Sequence, residues 1–515
     1  MEIKILWADD EIDLLKPHVL FLEAKGYTVV TATNGEDALE LLESASADLV
    51  FLDENMPGLS GLETLTRIKN KYPTMPVVMI TKSEEEQIME DAIGSRISDY
   101  LIKPVNPKQI LLSIKKNLDT KRLVSEKTTT SYQQKFREIG MRIGDRMDAQ
   151  EWMDLYKEMV YWELQISGSE DDSMREIISM QSQEANQQFT KFVGQNYHDW
   201  IDGEEDAPLL SHQVFEKYVA PQCEQGKSTF LVVIDNLRYD QWRVLMPELS
   251  NLFHFEDEST YMSILPTATH YARNALFAGM MPRDIQRHFP KLWKNENDEG
   301  SKNNHEADFL SHQLKRLQLP LKMKYNKVLT LNYGRKVDEQ FKDLLQNDLN
   351  VIVYNFVDML SHARTEMDMI KELASDEKAY RSLTVSWFKN SPLYSMFKKM
   401  AEHDCKVILT TDHGTVRVRN AVKVVGDRNT NTNLRYKVGK NLNYKAKDVF
   451  AAGNPEDIGI PKTTVSESII FAGEDDFLAY PNNYNHYAKY YRDTFQHGGI
   501  SLPEMVVPLI TLRPK

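Results

Sequence analysis

Hydrophobic positions in the first 120 residues fall into short runs separated by amphipathic stretches. IKILWA (3–8), TVVTA (28–32), DLVFLD (48–53), PVVMI (76–80) and DYLIK (99–103) read as strands. Between them, Ala38, Leu41 and Leu42, then Leu62, Leu65 and Ile68, carry helical spacing. Such alternation predicts one doubly wound parallel sheet over 1–120, with chemistry at the carboxyl edge of its strands. The period then changes. Trp152, Leu155, Met159, Trp162 and Ile166 recur in steps of three and four, as do Met174, Ile177, Ile178, Ala185, Phe189 and Phe192. The polar stretch TKRLVSEKTTTSY (120–132) and the turn-rich SGSEDDS (167–173) bracket these faces, so 121–207 is expected to be a small all-α bundle, a mechanical connector between input and output. From 208 to 515, STFLVVID (228–235), NVIVYNFVD (350–358) and KVILTTDH (406–413) are buried-strand runs, each delivering an acid to its carboxyl end. The fold class is α/β and multidomain.

Composition narrows the function. Sixty-two Lys and Arg against 76 Asp and Glu give a net charge of −14 over 515 residues. Phosphate-backbone binding needs a positive field, and the bundle lacks a basic recognition helix, so duplex DNA binding is not expected. Only Cys223 and Cys405 are present, too few for a disulfide framework or a thiolate zinc site within one chain. The start MEIKILWADDE lacks a signal-peptide stretch, and no apolar run approaches the roughly 18 residues of a membrane span. A soluble cytoplasmic protein is the expectation.

Acids gather at the edge of the first sheet. Asp9 and Asp10 follow the first strand, Asp53 ends the third, Thr81 closes the fourth, and Lys103 ends the fifth. Carboxylates in one crevice repel unless a hard divalent cation joins them, and Mg²⁺ with its oxygen preference suits the role. A lysine opposite would pair with an incoming phosphoryl group. A single strand-end aspartate is more often a helix cap; the set in register is what carries the chemistry. WADDE, DLVFLDENMPG, ITKS and DYLIKP resemble the receiver domain of two-component response regulators over residues 1–120, a flavodoxin-like fold. The resemblance implies Asp53 as phosphoacceptor and Mg²⁺ held by Asp10, Asp53 and the Asn55 carbonyl with Asp9 assisting. It further implies Thr81 as switch hydroxyl, Tyr100 as its aromatic partner, and Lys103 as phosphate-pairing cation.

The output segment carries a second constellation. Asp235, Asp358 and Asp412 stand with His362, one helical turn past Asp358, with His413 beside Asp412, and with His497 in QHGGISLPE. Three aspartates and three histidines exceed the needs of one catalytic Zn²⁺ and match two ions sharing a cleft. Two metals about 3.5–4 Å apart can clamp both oxygens of an in-line phosphoryl displacement. VVIDNLR, PTATHYARNALFAG, VDMLSH, TTDHGT and QHGGISLPEMVVP resemble the PglZ branch of the alkaline phosphatase superfamily over 208–515, an α/β/α fold with insertions. By that resemblance Asp235, Thr269, Asp412 and His413 would hold one Zn²⁺, Asp358, His362 and His497 the other, and Thr269 would be the nucleophile of a phosphodiesterase acting on nucleotides or oligonucleotides. His270–Tyr271–Ala272 stands where relatives often have Phe-Pro-Asn. The phosphate-steadying side chain is therefore open among Arg238, Arg273 and Asn274, and so is monoester against diester preference. His270, His312, His403 and His486 read as ordinary histidines.

Two segments remain. Residues 417–447 carry nine Lys and Arg against one Asp, either a lid over a polyanion or a solvated insertion; 283–345 is expected to cap the cleft. Receiver, helical connector and PglZ-type output in this order resemble the response regulators of type IX protein secretion. That resemblance implies a partner sensor histidine kinase, a sigma factor and a secretion-motor protein as further partners, and a phosphorylation-dependent homodimer. The rival reading is a metal-stabilised, non-catalytic signalling scaffold.

Overall fold

The computed structural model describes residues 3–44, 47–73, 75–82, 97–114, 117–118, 132, 135–167, 172–204, 206–366, 374, 376–427 and 430–515, without the side chains of 172–173 and 362–366. The chain divides into two compact units, Met1–Gln133 and Gln134–Lys515.

In the first unit, β1 (Lys4–Ala8), β2 (Thr28–Ala32), β3 (Leu49–Asp53), β4 (Val77–Thr81) and β5 (Asp99–Ile102) form a parallel sheet in the order β2-β1-β3-β4-β5, the flavodoxin-like arrangement. Alternation along the strands covers both faces. Leu6, Ala8, Val50, Leu52, Val77 and Met79 pack against Ala38 and Leu42 of α1 (Gly35–Ser44) and Leu65 and Ile68 of α2 (Gly61–Lys71). Ile5, Trp7, Leu49, Phe51, Val78 and Ile80 pack on the other side against Leu22, Ile110 and Ile114. Trp7, an unusually bulky strand residue, is fully buried with its ring 5.2 Å from that of Phe51. Ser60 caps α2 through a reciprocal pair of bonds with Glu63. Gly61 follows because a Cβ there would run into the Asp53 carbonyl. The segment expected to hold the helix between β4 and β5 (83–96) and most of the polar boundary 120–132 lie outside the described residues.

The second unit begins with helices rather than strands: 135–144, α3 (Ala149–Ser167) and α4 (Asp172–Asp202). Trp152 of α3 meets Phe189 and Phe192 of α4 at ring distances of 5.6 and 6.0 Å, so the aromatic stripe is packing, as its spacing implied. Next comes a six-stranded sheet of β6 (Ser228–Ile234), β7 (Phe253–Met262), β8 (Met323–Val328), β9 (Leu349–Tyr354), β10 (Cys405–Thr410) and β11 (Val506–Pro514), ordered β7-β11-β10-β6-β9-β8. Neighbours among β10, β6, β9 and β8 are parallel, and β11 runs antiparallel to β10 and β7. Every residue of β6 and β9 is buried, as expected for strands covered on both faces. Val233 pairs with Thr410, which brings Asp235 and Asp412, each two residues further on, to the same edge.

Three expectations change. The run 350–358 is not one strand: β9 ends at Tyr354 and Asp358 lies in the first turn of the helix Phe356–Glu366. Apolar continuity hides such a switch, because a buried strand and a buried helix turn look alike over a few residues. The segment 283–345 is more than a cap, since Met323–Val328 is the edge strand beside β9. The basic segment 417–447 is neither a lid loop nor a solvated insertion throughout. It contributes Asn420–Lys423, paired with Asp476–Ala479, and Tyr436–Lys440 in a three-stranded sheet with Phe450–Ala452 and Glu467–Phe471. Arg435 is fully buried on Glu504 at 2.6 Å.

Lys437 is buried in the same sheet. Its ammonium donates to the Asn431 carbonyl at 3.1 Å and stands 4.5 Å from the Tyr480 ring. Burial pulls it down from 10.5 to about 8. The unfolded chain keeps its proton up to about 10.5, so between these values the unfolded state binds more protons and stability rises with pH. Below about pH 8 the charged lysine costs roughly 3 kcal/mol, at 1.36 kcal/mol per pKa unit. Lys437→Met is expected to raise the thermal unfolding midpoint at about pH 7, with a gain that shrinks towards zero by about pH 10.5. Melts across that range check it; a gain independent of pH would contradict the charge as its source.

Candidate functional site

In the first unit, strand ends bring the predicted groups together. Asp9, Asp10 and Asp53 offer carboxylate oxygens within 4.8 Å of one another; Asp9 and Asp53 are buried and Asp10 is exposed. Lys103 Nζ lies 2.8 Å from both Asp9 and Asp53. The Asn55 backbone N–H donates to Asp53 at 3.2 Å. Burial pushes the Asp53 carboxyl up, Lys103 opposes that, and Asp9 adds to it. Its neighbour Glu54 is pushed to about 7 by burial and by Asp53. The two aspartates hold the Lys103 ammonium above its ordinary value even though burial works to lower it. Thr81 is buried at the end of β4 and hydrogen bonds with Tyr100, whose own phenol burial pushes up. An all-oxygen set open on the Asp10 side suits Mg²⁺, which keeps waters and shares phosphate oxygens.

In the second unit, Asp235 follows β6 directly, and Asp412–His413 lie just past β10. One ligand atom from each falls within 4.8 Å of the others, and all three residues are buried. Thr269 opens the helix Thr269–Ala278. Its hydroxyl lies 3.0 Å from His413 Nε2 and 3.4 Å from Asp235 Oδ1. His497 stacks on His413 with ring centroids 4.4 Å apart, and its Nε2 is 3.7 Å from Asp358 Oδ1. Asp235, Asp412 and His413 thus stand at metal-ligand spacing, and Thr269, His497 and Asp358 join them by pairwise contacts. The His362 side chain lies outside the described residues. A Cβ on Gly414 would meet the Pro503 carbonyl, so the turn after His413 needs glycine.

Charge explains how these carboxylates coexist. Arg273 is buried 2.5 Å from Asp235 and 3.6 Å from Asp412, while Glu306 holds its other edge at 2.6 Å. Burial drives the Asp235 carboxyl well above the usual range, with Arg273 opposing. For Asp412 burial works the same way, but His413 and Arg273 outweigh it and hold the group below its ordinary value. Asp412 Oδ2 is buried and accepts no hydrogen bond among the described residues. A buried carboxylate oxygen left this way beside an imidazole is what a divalent metal satisfies, and mixed His and Asp donors suit zinc.

The candidates for steadying a substrate phosphate are engaged elsewhere. Arg238 is bound to Asp240 and Glu377, each at 2.6 Å. Asn274 donates to the carbonyls of His270 and Lys302. Arg273 serves the carboxylates; its place four residues after Thr269, on the same helix face, was the available signal. His270 is a packed structural histidine, its Nε2 2.8 Å from the Lys294 carbonyl, its ring stacked on Trp293 and 3.4 Å from Glu296, which also accepts from Tyr271, Tyr436 and Asn431. Glu306, Glu296 and Arg435 carry no motif that a sequence shows, and Glu504, although it closes QHGGISLPE, has a partner in Arg435 that no spacing reveals.

Comparison with known proteins gives three family matches. The family model of the BREX system PglZ alkaline phosphatase-like domain matches residues 214–512. That of the PorX response regulator linker domain matches 122–201, and that of the response regulator receiver domain matches 5–115. The transcriptional regulatory protein ResD of Bacillus subtilis is 34% identical over 114 residues, 22% of this chain and 47% of ResD. The alginate biosynthesis regulator AlgB of Pseudomonas putida is 36% identical over 120 residues, 23% of this chain and 27% of AlgB. Each match spans less than half of the relative's length. A receiver domain structure from Clostridium thermocellum is 32% identical and covers 24% of this chain and 98% of its own, with TM-score 0.23. A CheY-like receiver from Methanospirillum hungatei is 28% identical, with coverage of 24% and 98% and the same score. Among the described residues no helix is long and apolar enough to cross a membrane.

Removing one carboxylate tests the cluster directly. Asp412→Asn keeps shape and removes the charge, and is expected to weaken zinc affinity at least about tenfold relative to the unsubstituted chain when zinc is titrated into each metal-free folded protein. Unchanged zinc affinity in a variant with an unchanged circular dichroism spectrum would remove Asp412 from the ligand set.

Proposed function

The chain belongs to the PglZ alkaline phosphatase-like family and carries a response regulator receiver domain ahead of that region, and from this premise we propose a phosphorylation-controlled phosphodiesterase. The family points to a phosphoesterase-type hydrolase using divalent metals, and a receiver domain implies phosphorylation by a sensor kinase. In our reading, Asp53 accepts the phosphoryl group with Mg²⁺ at Asp9, Asp10 and Asn55, and Lys103, Thr81 and Tyr100 respond to it. Thr269 is the nucleophile, and zinc falls to Asp235, Asp412 and His413 on one side and to Asp358, His362 and His497 on the other. The substrates are diesters in nucleotides or small oligonucleotides.

The observation that carries the reading is the Thr269 hydroxyl, 3.0 Å from His413 and 3.4 Å from Asp235 at the start of a helix. Zinc, when bound, would supply positive charge for the phosphoryl oxygens and acidify the hydroxyl beside it. The chain's own residues do the rest. The first turn of the helix Thr269–Ala278 presents backbone N–H groups that suit a phosphate. Asp235, fixed by Arg273, orients the threonine oxygen. The Thr269 oxygen attacks phosphorus and its proton ends on the departing alkoxide, which leaves as the first alcohol. Water then displaces the threonine oxygen from phosphorus, releasing the phosphomonoester and returning a proton to Thr269. The same reading makes the protein a regulator of type IX secretion, with a sensor histidine kinase, a sigma factor and a secretion-motor protein as partners and a phosphorylation-dependent homodimer as its active form.

One observation favours the scaffold alternative. Arg273 already sits between Asp235 and Asp412, and such a pairing could hold the site together without turnover. Thr269→Val separates the two. It is expected to cut bis-p-nitrophenyl phosphate hydrolysis by at least about a thousandfold while zinc content stays intact; unchanged hydrolysis would remove the threonine from the mechanism. Asp53→Asn is expected to abolish labelling by acetyl phosphate and, with it, any acetyl phosphate effect on turnover. Labelling that persists would place the phosphoacceptor elsewhere.

A further inference from the structure

The 31-residue helix α4 belongs to the connector in sequence, yet it touches the loops that carry the site. Asn186, Thr190, Val193 and Tyr197 follow steps of four, three and four, a single stripe along it. Tyr197 is fully buried, and its hydroxyl accepts the backbone N–H of Leu265 at 2.7 Å, four residues before Thr269. Thr190 accepts the N–H of Glu474 at 3.2 Å, and a Cβ on Gly473 would press on its methyl at 2.5 Å. Asn186 accepts the N–H of Leu502 at 2.8 Å, opening the short helix that holds Glu504.

Both anchored loops then meet at Thr267. The Thr267 hydroxyl donates to the Gly499 carbonyl at 2.8 Å and accepts from the Gly498 N–H at 3.1 Å. Its carbonyl is 3.3 Å from His497 Nδ1. Glu504 accepts the Gly499 N–H at 2.9 Å and takes Arg435 on its other side. Thr269 and His497, which come from segments more than two hundred residues apart, are therefore set against one frame.

We infer that Tyr197 is a positioning residue for Thr269, and that α4 is the element that fixes the Thr269 loop and the His497 loop in register. This rests on Thr269 being the nucleophile. A buried N–H that loses its acceptor drives its loop to move, and displacing a reacting atom by about 1 Å costs on the order of a hundredfold in rate. Any shift of α4 along its axis acts on both loops together, which gives the connector a route to the chemistry.

The test uses the full-length, zinc-loaded protein. Tyr197→Phe removes one oxygen and keeps the ring. It is expected to lower kcat on bis-p-nitrophenyl phosphate about ten- to a hundredfold, with KM within about twofold and zinc content unchanged. Hydrogen exchange of the peptide 263–270 is expected to quicken at least about tenfold while peptides of β6 and β9 stay protected. Should that variant fail to fold, Thr190→Val and Thr190→Ser replace it: valine is expected to lower kcat and speed exchange at 473–475, and serine, which keeps the hydroxyl, to restore both. Wild-type kcat and exchange in Tyr197→Phe would overturn the inference and leave the hydrolase reading intact. Faster local exchange in a protein whose wild type hydrolyses nothing would uphold the positioning role and overturn the nucleophile assignment instead.

Discussion

Two carboxylates buried side by side at the end of neighbouring parallel strands are stable only where positive charge meets them. Asp235 and Asp412 stand in that position because β6 and β10 pair with Val233 opposite Thr410. Removing both from water costs several kcal/mol per ion, and their mutual repulsion adds to it. Arg273 answers part of that charge from within the chain, and Glu306 keeps Arg273 in place. Zinc would answer the remainder. The strand register sets this requirement, and the buried arginine between the two carboxylates answers it.

The receiver solves the same problem with a different cation. Asp9 and Asp53 share Lys103 at 2.8 Å each, and Asp10 stays in contact with water. A lysine is a compact charge on a flexible stem, able to move as a phosphoryl group arrives; Arg273 is a planar fork locked between three carboxylates. The first cluster leaves its cation free to move, and the second holds its cation in one geometry.

What was legible in the sequence follows from range. Strand runs, the helical stripe from Trp152 to Ile166 and the acids at strand ends are local patterns. The strands of the first sheet fall within about a residue of the expected runs, whereas the more polar β7 and β8, and also β11, were not read as strands. Motif residues Asp235, Asp412, His413, Thr269 and His497 announced themselves by type and by neighbours. The end of β9 at Tyr354 was hidden because Phe356 and Val357 prolong the apolar run into a helix. The inward-facing Arg435 and Lys437 were hidden because a basic residue in an acidic chain reads as solvated, and only the partners Glu504 and Asn431, distant or uncharged, reveal otherwise. Arg273 was visible, but its partner was ambiguous: an arginine one turn past Thr269, the proposed nucleophile, suits a substrate phosphate as well as a buried carboxylate.

The connector presents the strongest mismatch between pattern and role. Its amphipathic faces predict packing, and packing alone would make it a spacer. Yet α3 places Glu163 2.6 Å from Arg381, which also reaches Asp240 at 2.9 Å, and Asp240 binds Arg238 in the loop that follows Asp235. Arg381, Asp240 and Arg238 are buried, and ion pairs among such groups add little net stability, because desolvation offsets most of their attraction, but removing one partner leaves a stranded charge. They therefore select one arrangement of the groups around them over its neighbours. With Glu163 on one helix and Asn186, Thr190 and Tyr197 on the next, polar groups of the connector reach the frame of the site from two sides. A segment whose polar atoms are spent on loop backbones and buried arginines has its geometry tied to that of the cleft, and neither can rearrange without the other.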